Sequence, residues 1–237
     1  MQVPLGIVKP DLASAVRIVK IGFSPFLILA SDSIIIIALN AVLQHYGGRE
    51  YGDTLITAAT IVQSYMLLIT SPMLGITGGS QPLISYNYGA NRPDRIRKTF
   101  FWVLMLCFCF TTVMFMISRV APQYFVYIFT DNPEYQELAV WGIQAFTLMI
   151  IPLSFQYVIV DGLTALGMTK TSLTLSLARK TLYFAATCIL PVFFAAQSAF
   201  YAEPIADGAA ACISCCVFLF VYRKYLKGEG RLKDIKM

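Results

Sequence analysis

Long uncharged stretches separated by short polar segments organise the chain. Residues 99–118, 138–160 and 181–202 contain no charged side chain and run for 20, 23 and 22 residues. Because about 20 apolar residues cross the hydrocarbon core of a bilayer as a helix, each stretch predicts one transmembrane helix. Transmembrane strands are excluded, since they would require shorter segments in which apolar and polar residues alternate.

Less regular stretches predict three further helices. Residues 54–91 carry no charge over 38 residues, and the glycines and proline of segment 78–82 predict that this helix ends near residue 80, with a kink at Pro72. The other two stretches are apolar except for Asp32 and Asp207. The fold class is therefore an all-α membrane protein, with predicted spans at roughly 21–43, 55–80, 100–118, 138–160, 174–196 and 203–222.

Composition agrees with this fold class and argues against several others. Hydrophobic residues make up 57% of the 237 residues and charged residues only 13%, about half the usual share of a soluble domain. No catalytic triad, metalloprotease motif or phosphate-binding loop is present, so we expect neither an enzyme nor a bound cofactor, and no nucleic-acid partner. The six cysteines lie inside apolar runs, where small packing residues explain them better than metal ligands do.

The distribution of basic residues predicts the orientation. With six spans, one side of the membrane receives the N-terminal segment 1–20, the loop 92–98, the connection after the fourth span and the tail 223–237. Those regions hold 16 of the 18 Lys and Arg residues, if Arg179 and Lys180 extend to the same surface from the fifth span. The positive-inside rule then places both termini in the cytoplasm of a multi-pass protein of the cell membrane.

A carboxylate near the middle of the first span is the first candidate for ion coupling. Asp32 has 11 uncharged residues before it and 16 after it. Burial favours the neutral form of a carboxyl group, so such a residue can exchange a proton or bind a cation. Asn40 lies two helical turns further along, close to the same face, and would offer a hydrogen bond. Alternatively, Asp32 is a structural partner for a buried base such as Arg179.

Two acids at the start of the sixth span form a second candidate. Glu203 and Asp207 are four residues apart and share a helix face. Either they stabilise the N-terminus of that helix, with Pro204 in its first turn, or they bind a cation in the exterior half of the membrane. Arg179 either extends to the cytoplasmic surface or pairs with an acid inside the bundle.

Other polar residues within the spans are candidates for the wall of a substrate cavity. Polar groups at this depth face protein or water rather than lipid. The candidates are Gln63, Gln156, Tyr157, Arg179 and Asp161, the last of which is expected where the fourth span meets the cytoplasm.

The segment "GITGGSQPLISYNYGANRPDRIRKT" resembles the end of the second helix of a repeat in the multidrug and toxic compound extrusion (MATE) transporters. The family pattern is matched at Gly75, Gln81, Pro82, Tyr86, Asn87, Gly89 and Ala90. Two further pieces are similar: "IGFSPFLILASDS" resembles the start of the family's seventh helix, and "FYAEPIAD" resembles the start of its twelfth.

The resemblance implies the second six-helix lobe of a twelve-helix exporter of amphipathic, often cationic compounds, driven by inward proton or sodium flow. Residues 1–20 would then be the interlobe linker and amphipathic lead-in, 21–222 the lobe, and 223–237 the basic tail. The implied partners are the bilayer, the missing first lobe or a second copy, and amphipathic cations. Asp32 falls close to an acid of the seventh helix in some members, whereas Phe155 or Gln156 matches the tenth-helix acid better than Asp161.

Two alternatives stay open at this point. The chain is either a truncated, inactive fragment or a half-size membrane protein that forms homodimers. A flippase for lipid-linked intermediates has a related fold, but its cargo would favour a larger and more basic cavity.

Overall fold

The structure, a computed structural model, describes residues 12–223, which form helices joined by short turns. The first helical run, Leu12–Gly89, breaks at Gly48, whose φ of 74° and ψ of −169° are accessible to glycine but costly for other residues. We label its two parts, before and after Gly48, α1 and α2. The remaining helices are α3 (Pro93–Val120), α4 (Pro122–Val126), α5 (Pro133–Phe146), α6 (Ile150–Ala165), α7 (Thr169–Phe193) and α8 (Ala202–Val221).

Six segments of the described residues are long and apolar enough to cross a membrane, as predicted. Their bounds are Phe26–Gly48, Tyr51–Gly89, Pro93–Val120, Pro133–Ala165, Thr169–Phe193 and Ala196–Val221. The predicted linker, lobe and tail division stays a prediction, because residues 1–11 and 224–237 lie outside the described part of the chain.

Short 3₁₀ segments adjust two of these spans. The fourth span joins α5 to α6 through Thr147–Met149, close to Pro152, which lacks the N–H that an α-helix would donate to the carbonyl of Leu148. The sixth begins with the 3₁₀ helix Ala196–Tyr201, which continues directly into α8. The fourth span begins at Pro133 and the sixth at Ala196, both earlier along the chain than the hydropathy pattern predicted.

The predicted end of the second span near residue 80 is wrong. Helix α2 continues through Pro72 and Pro82 to Gly89. In a membrane helix the backbone groups that proline disturbs are tolerated because neighbouring helices and side chains satisfy them. In addition, the Ser85 hydroxyl donates a 2.9 Å hydrogen bond to the carbonyl of Ala165. This bond fixes the extension of α2 against the end of α6.

The turn after α2 lies at residues 90–92 rather than around Gly89. Asn91 has a φ of 53°, a left-handed conformation that Asn adopts more readily than most residues. Its N–H binds the carbonyl of Tyr88 at 3.0 Å, and the Arg92 N–H binds that of Asn87 at 2.9 Å. These two bonds form a Schellman cap that ends the helix.

A hydrophobic core joins α2, α3, α5 and α6, and α8 packs on both α6 and α7. At its closest approach, α6 meets α3 at Gly162, where an added Cβ would lie 2.2 Å from Cζ of Phe100. The ring of Phe100 is itself confined by that of Phe218, with ring centroids 5.0 Å apart. Gly162 is therefore required by packing, not by backbone conformation.

Replacing Gly162 with Ala is expected to destabilise the protein by about 1–3 kcal/mol, the usual cost of overpacking a core. The matched control is Gly75→Ala on α2, where an added Cβ meets no atom within 4 Å. Thermal unfolding of the purified protein in detergent measures both variants. We expect a lower Tm only for Gly162→Ala, with recovery when Phe100→Leu is added. Equal Tm values for the two alanine variants would contradict this packing.

Candidate functional site

A cavity of about 310 Å³ lies between α1, α2, α6 and α7. Its walls are apolar at Ile28, Leu29, Leu74 and Val160. Polar side chains reach it from three helices, and they are Asp32, Gln156, Tyr157, Asp161, Ser176, Arg179 and Lys180. An apolar pocket with a few converging polar groups is the usual form of a small-molecule site.

One wall of the cavity contains an ion pair between α1 and α7. The Lys180 ammonium donates a hydrogen bond to Oδ1 of Asp32. The Lys180 side chain is only 12% exposed, whereas that of Asp32 is 41% exposed. The carboxylate is therefore more accessible than the ammonium that neutralises it.

A second, deeper ion cluster joins α7 to α8. Nη1 of Arg179 donates to Oδ1 of Asp207 at 2.8 Å and to Oε1 of Glu203 at 3.1 Å. Asp207 is fully buried, and its other oxygen, Oδ2, has no hydrogen-bond partner among the described residues. The guanidinium carbon also lies 5.9 Å from the ring centroid of Tyr157. Two carboxylates and an aromatic ring therefore hold one arginine in place.

Helix geometry explains why two consecutive cations serve different partners. Successive residues of an α-helix are about 100° apart around its axis, since one turn takes 3.6 residues. Arg179 therefore meets α8 while Lys180 meets α1. Beside them, Ile35 of α1, Tyr183 of α7 and Ala206 of α8 form a small buried cluster, so the same three helices are also joined by apolar packing.

Asp161 of α6 also lines the cavity. The side chains of Thr77 and Gln81 of α2 are within hydrogen-bonding reach of its carboxyl group. Gln81 belongs to the segment from Gly75 to Ala90 that resembles the MATE pattern. One residue of that segment therefore contacts a side chain that lines the cavity.

The structure brings most of the predicted site residues together. Asp32, Gln156, Tyr157, Asp161 and Arg179 line one cavity, and Glu203 and Asp207 lie behind it against Arg179. Gln63 and Asn40 are half-buried and are not among the described residues that line it. The roles assigned to all of these residues stay predictions.

The structure distinguishes between the alternatives given for several residues. Arg179 pairs with acids inside the bundle, which was one of its two alternatives, and Lys180 is likewise bound by a carboxylate instead of extending to the surface. The orientation of the chain in the membrane stays a prediction. The alternative for Asp32 was pairing with a buried base such as Arg179, and the base it pairs with is Lys180. Asp161 lines the cavity, where it was a candidate, and α6 continues beyond it to Ala165. Its expected position at the cytoplasmic boundary stays a prediction.

Sequence reasoning missed Ser176, Thr77 and the pairing role of Lys180. A signal existed for two of them, because residues 176, 179 and 180 are spaced i, i+3 and i+4 and mark a polar face on an apolar helix. Nothing in the pattern identified Thr77, whose contribution depends on how α2 rotates against α6.

Removing the Arg179 guanidinium is expected to destabilise the protein strongly. In Arg179→Met, two carboxylates lose their counter-ion, and breaking a buried ion pair in this way costs about 3–5 kcal/mol. Adding Asp207→Asn should recover part of the loss because it removes one of the uncompensated charges. The control is Lys170→Met, at an exposed position near the start of α7.

Thermal unfolding in detergent measures all three proteins. The account predicts that the double variant is more stable than Arg179→Met alone. A double variant in which the two losses simply add would show that Arg179 and Asp207 do not interact.

Comparison with known proteins identifies the fold. The MatE family model matches residues 29–189. The chain is 24% identical over 220 residues to the Multidrug export protein MepA of Staphylococcus haemolyticus (strain JCSC1435), covering 92% of this chain and 45% of that protein.

Solved structures are similar over the same extent. An outward-facing multidrug resistance MATE family transporter of the MOP superfamily superimposes with a TM-score of 0.79 at 17% identity, covering 92% of this chain and 49% of the other. A MOP superfamily transporter from Pyrococcus furiosus, described as having a binding pocket of reversed polarity, gives 0.76 at 18% identity over 90% of this chain and 47% of the other. The chain therefore spans about half the length of the proteins it matches.

Proposed function

The chain belongs to the MatE family, and from that premise we propose that it is one six-helix lobe of a secondary active multidrug efflux transporter. Export is supported by the relative described as a multidrug export protein and by the transporter fold of a multi-pass membrane protein. The proposed cargo is amphipathic and cationic, and the proposed coupling ion is H⁺ or Na⁺.

The observation that carries this proposal is the accessible carboxylate of Asp32 in a cavity that also has apolar walls. An organic cation gains from apolar walls such as Leu29 and Val160, from the ring of Tyr157 and from a negative charge in a low-dielectric site. Asp161 of α6 supplies a second carboxyl group to the same cavity. These groups also suit a proton or a sodium ion, so cargo and coupling ion would compete for the same acids.

Lys180 occupies the place that a cationic cargo would take. Arg179 is held by two carboxylates, whereas the only ion-pair partner of Lys180 among the described residues is Asp32. A lysine ammonium is a point charge on a flexible stem and moves more readily than a forked guanidinium. In the proposed mechanism, an arriving cation displaces the ammonium from Asp32, and the ammonium returns when the cargo leaves.

A second lobe would complete the binding site. The cavity of about 310 Å³ is at the lower end of the range of roughly 300–1,000 Å³ that drug-sized ligands occupy. Leu29 and Ile37 of α1 are mostly exposed, which gives the partner an apolar face beside the cavity. The partner is proposed to be the first lobe of the same transporter or a second copy, with both termini of this chain in the cytoplasm.

Asp32→Asn is expected to abolish coupled efflux, because the amide keeps the shape of the side chain but cannot carry the charge. The measurement is efflux of a fluorescent lipophilic cation from vesicles under an imposed proton or sodium gradient. The chain is assayed alone and with a co-expressed first lobe. Asp53→Asn, at the start of α2 and away from the cavity, is the control. Unchanged gradient-driven efflux in Asp32→Asn would rule out Asp32 as the coupling acid.

Lys180→Met is expected to tighten cation binding by about tenfold, which corresponds to about 1.4 kcal/mol, since the cargo no longer has to displace the ammonium from Asp32. Binding of tetraphenylphosphonium to the purified chain is measured by calorimetry, and Lys170→Met is the control. An unchanged affinity would exclude displacement of Lys180 while leaving the role of Asp32 intact. An unchanged affinity in Asp32→Asn would contradict the proposal that the cation binds at Asp32.

A further inference from the structure

A groove of about 440 Å³ lies on another flank of the bundle, between α3, α6 and α8. Aromatic and aliphatic side chains form nearly all of its lining, including Phe101 and Leu104 of α3, Val158 of α6, and Phe218 and Leu219 of α8. Only α6 also contributes to the cavity that contains Asp32. The groove is therefore a separate feature and is unused by the transport mechanism.

The groove opens outward from the bundle. Its floor is closed by Val158, which is 4% exposed, whereas Phe101 and Leu219 at its rims are 56% and 54% exposed. In a membrane protein, such an outward apolar groove faces the hydrocarbon chains of the bilayer. A groove between helices contacts an acyl chain on more sides than a flat helix surface does.

One end of the groove is polar and positively charged. Arg97 and Tyr222 both line it, and their side chains are within hydrogen-bonding reach of each other. Arg97 also pairs with Asp94, whose side chain is 79% exposed. Such an exposed ion pair is weak. Because a guanidinium has five N–H donors, Arg97 can also bind a further anion while it keeps its present partners.

The polar end lies at the membrane surface. Helix α3 begins at Pro93 and α8 ends at Val221, and with six spans these two ends face the same side of the bilayer. From Arg97 to Leu104 the groove descends seven residues along α3, or about 10 Å at 1.5 Å per residue. A cation at the surface above an apolar channel matches the shape and charge of an anionic phospholipid.

We propose that the groove between α3, α6 and α8 binds an anionic glycerophospholipid of the adjacent leaflet. The phosphate is bound by Arg97 and the hydroxyl of Tyr222, and an acyl chain lies along Phe101, Leu104 and Leu219. Charge complementarity at Arg97 selects anionic over zwitterionic headgroups. The lipid is a bound component of the lobe, distinct from any exported cargo.

Native mass spectrometry of the purified chain tests this proposal, with phosphatidylglycerol and phosphatidylcholine of identical acyl chains added separately. The wild type is expected to retain more phosphatidylglycerol than phosphatidylcholine. In Arg97→Gln, phosphatidylglycerol binding should fall about fivefold or more, the loss expected from removing one cation next to an anionic lipid. Lys98→Gln, an exposed neighbour outside the groove lining, should change it much less.

Two further arms separate the headgroup from the acyl chain. Leu219→Trp fills the exposed rim of the groove and is expected to reduce binding of both lipids, whereas soluble glycerol 3-phosphate should not displace phosphatidylglycerol. Far-UV circular dichroism confirms that each variant is folded. Equal losses in Arg97→Gln and Lys98→Gln would show diffuse surface charge, and equal retention of the two lipids would show acyl contact alone. Either result, or displacement by glycerol 3-phosphate, overturns the proposal.

Discussion

The buried ion cluster on α7 is the constraint on which the rest of this helical bundle depends. A charged residue within the membrane persists only where it is paired or faces a polar cavity. Arg179 satisfies this requirement by binding Asp207 and Glu203, which fixes α7 against α8. Once that contact is made, the geometry of the helix turns Lys180 toward α1. One arginine therefore determines both a helix interface and the position of the cation at Asp32.

This arrangement separates a buried ion cluster from an accessible ion pair. Asp207 is fully buried, and its counter-ion cannot leave without stranding two carboxylates. Asp32 is accessible, and its counter-ion is a single flexible lysine. Moving Arg179 away would therefore leave two carboxylates without a counter-ion. Moving Lys180 away would leave one accessible carboxylate, which a proton, a metal cation or a cargo can neutralise. That difference gives the proposed exchange at Asp32 its physical basis.

Hydropathy was sufficient to predict six spans, because the thickness of the bilayer sets the length of each apolar stretch. It could not predict where α2 ends, since Pro82 and its neighbouring glycines act as helix breakers in water but are tolerated where other helices satisfy the backbone. The pairing of Asp32 also escaped prediction. Choosing between Arg179 and Lys180 requires the rotation of α7 relative to α1 and α8, which depends on side-chain packing across three helices.

The proposal that a cation displaces the Lys180 ammonium from Asp32 is tested most directly by the chemical reactivity of the Lys180 amine. Acetylation of the purified chain, followed residue by residue with mass spectrometry, is compared with and without tetraphenylphosphonium, using exposed Lys170 as the reference. If the cation displaces the ammonium, labelling of Lys180 rises while that of Lys170 stays constant. Labelling of Lys180 that stays constant or falls when the cation binds would contradict the account.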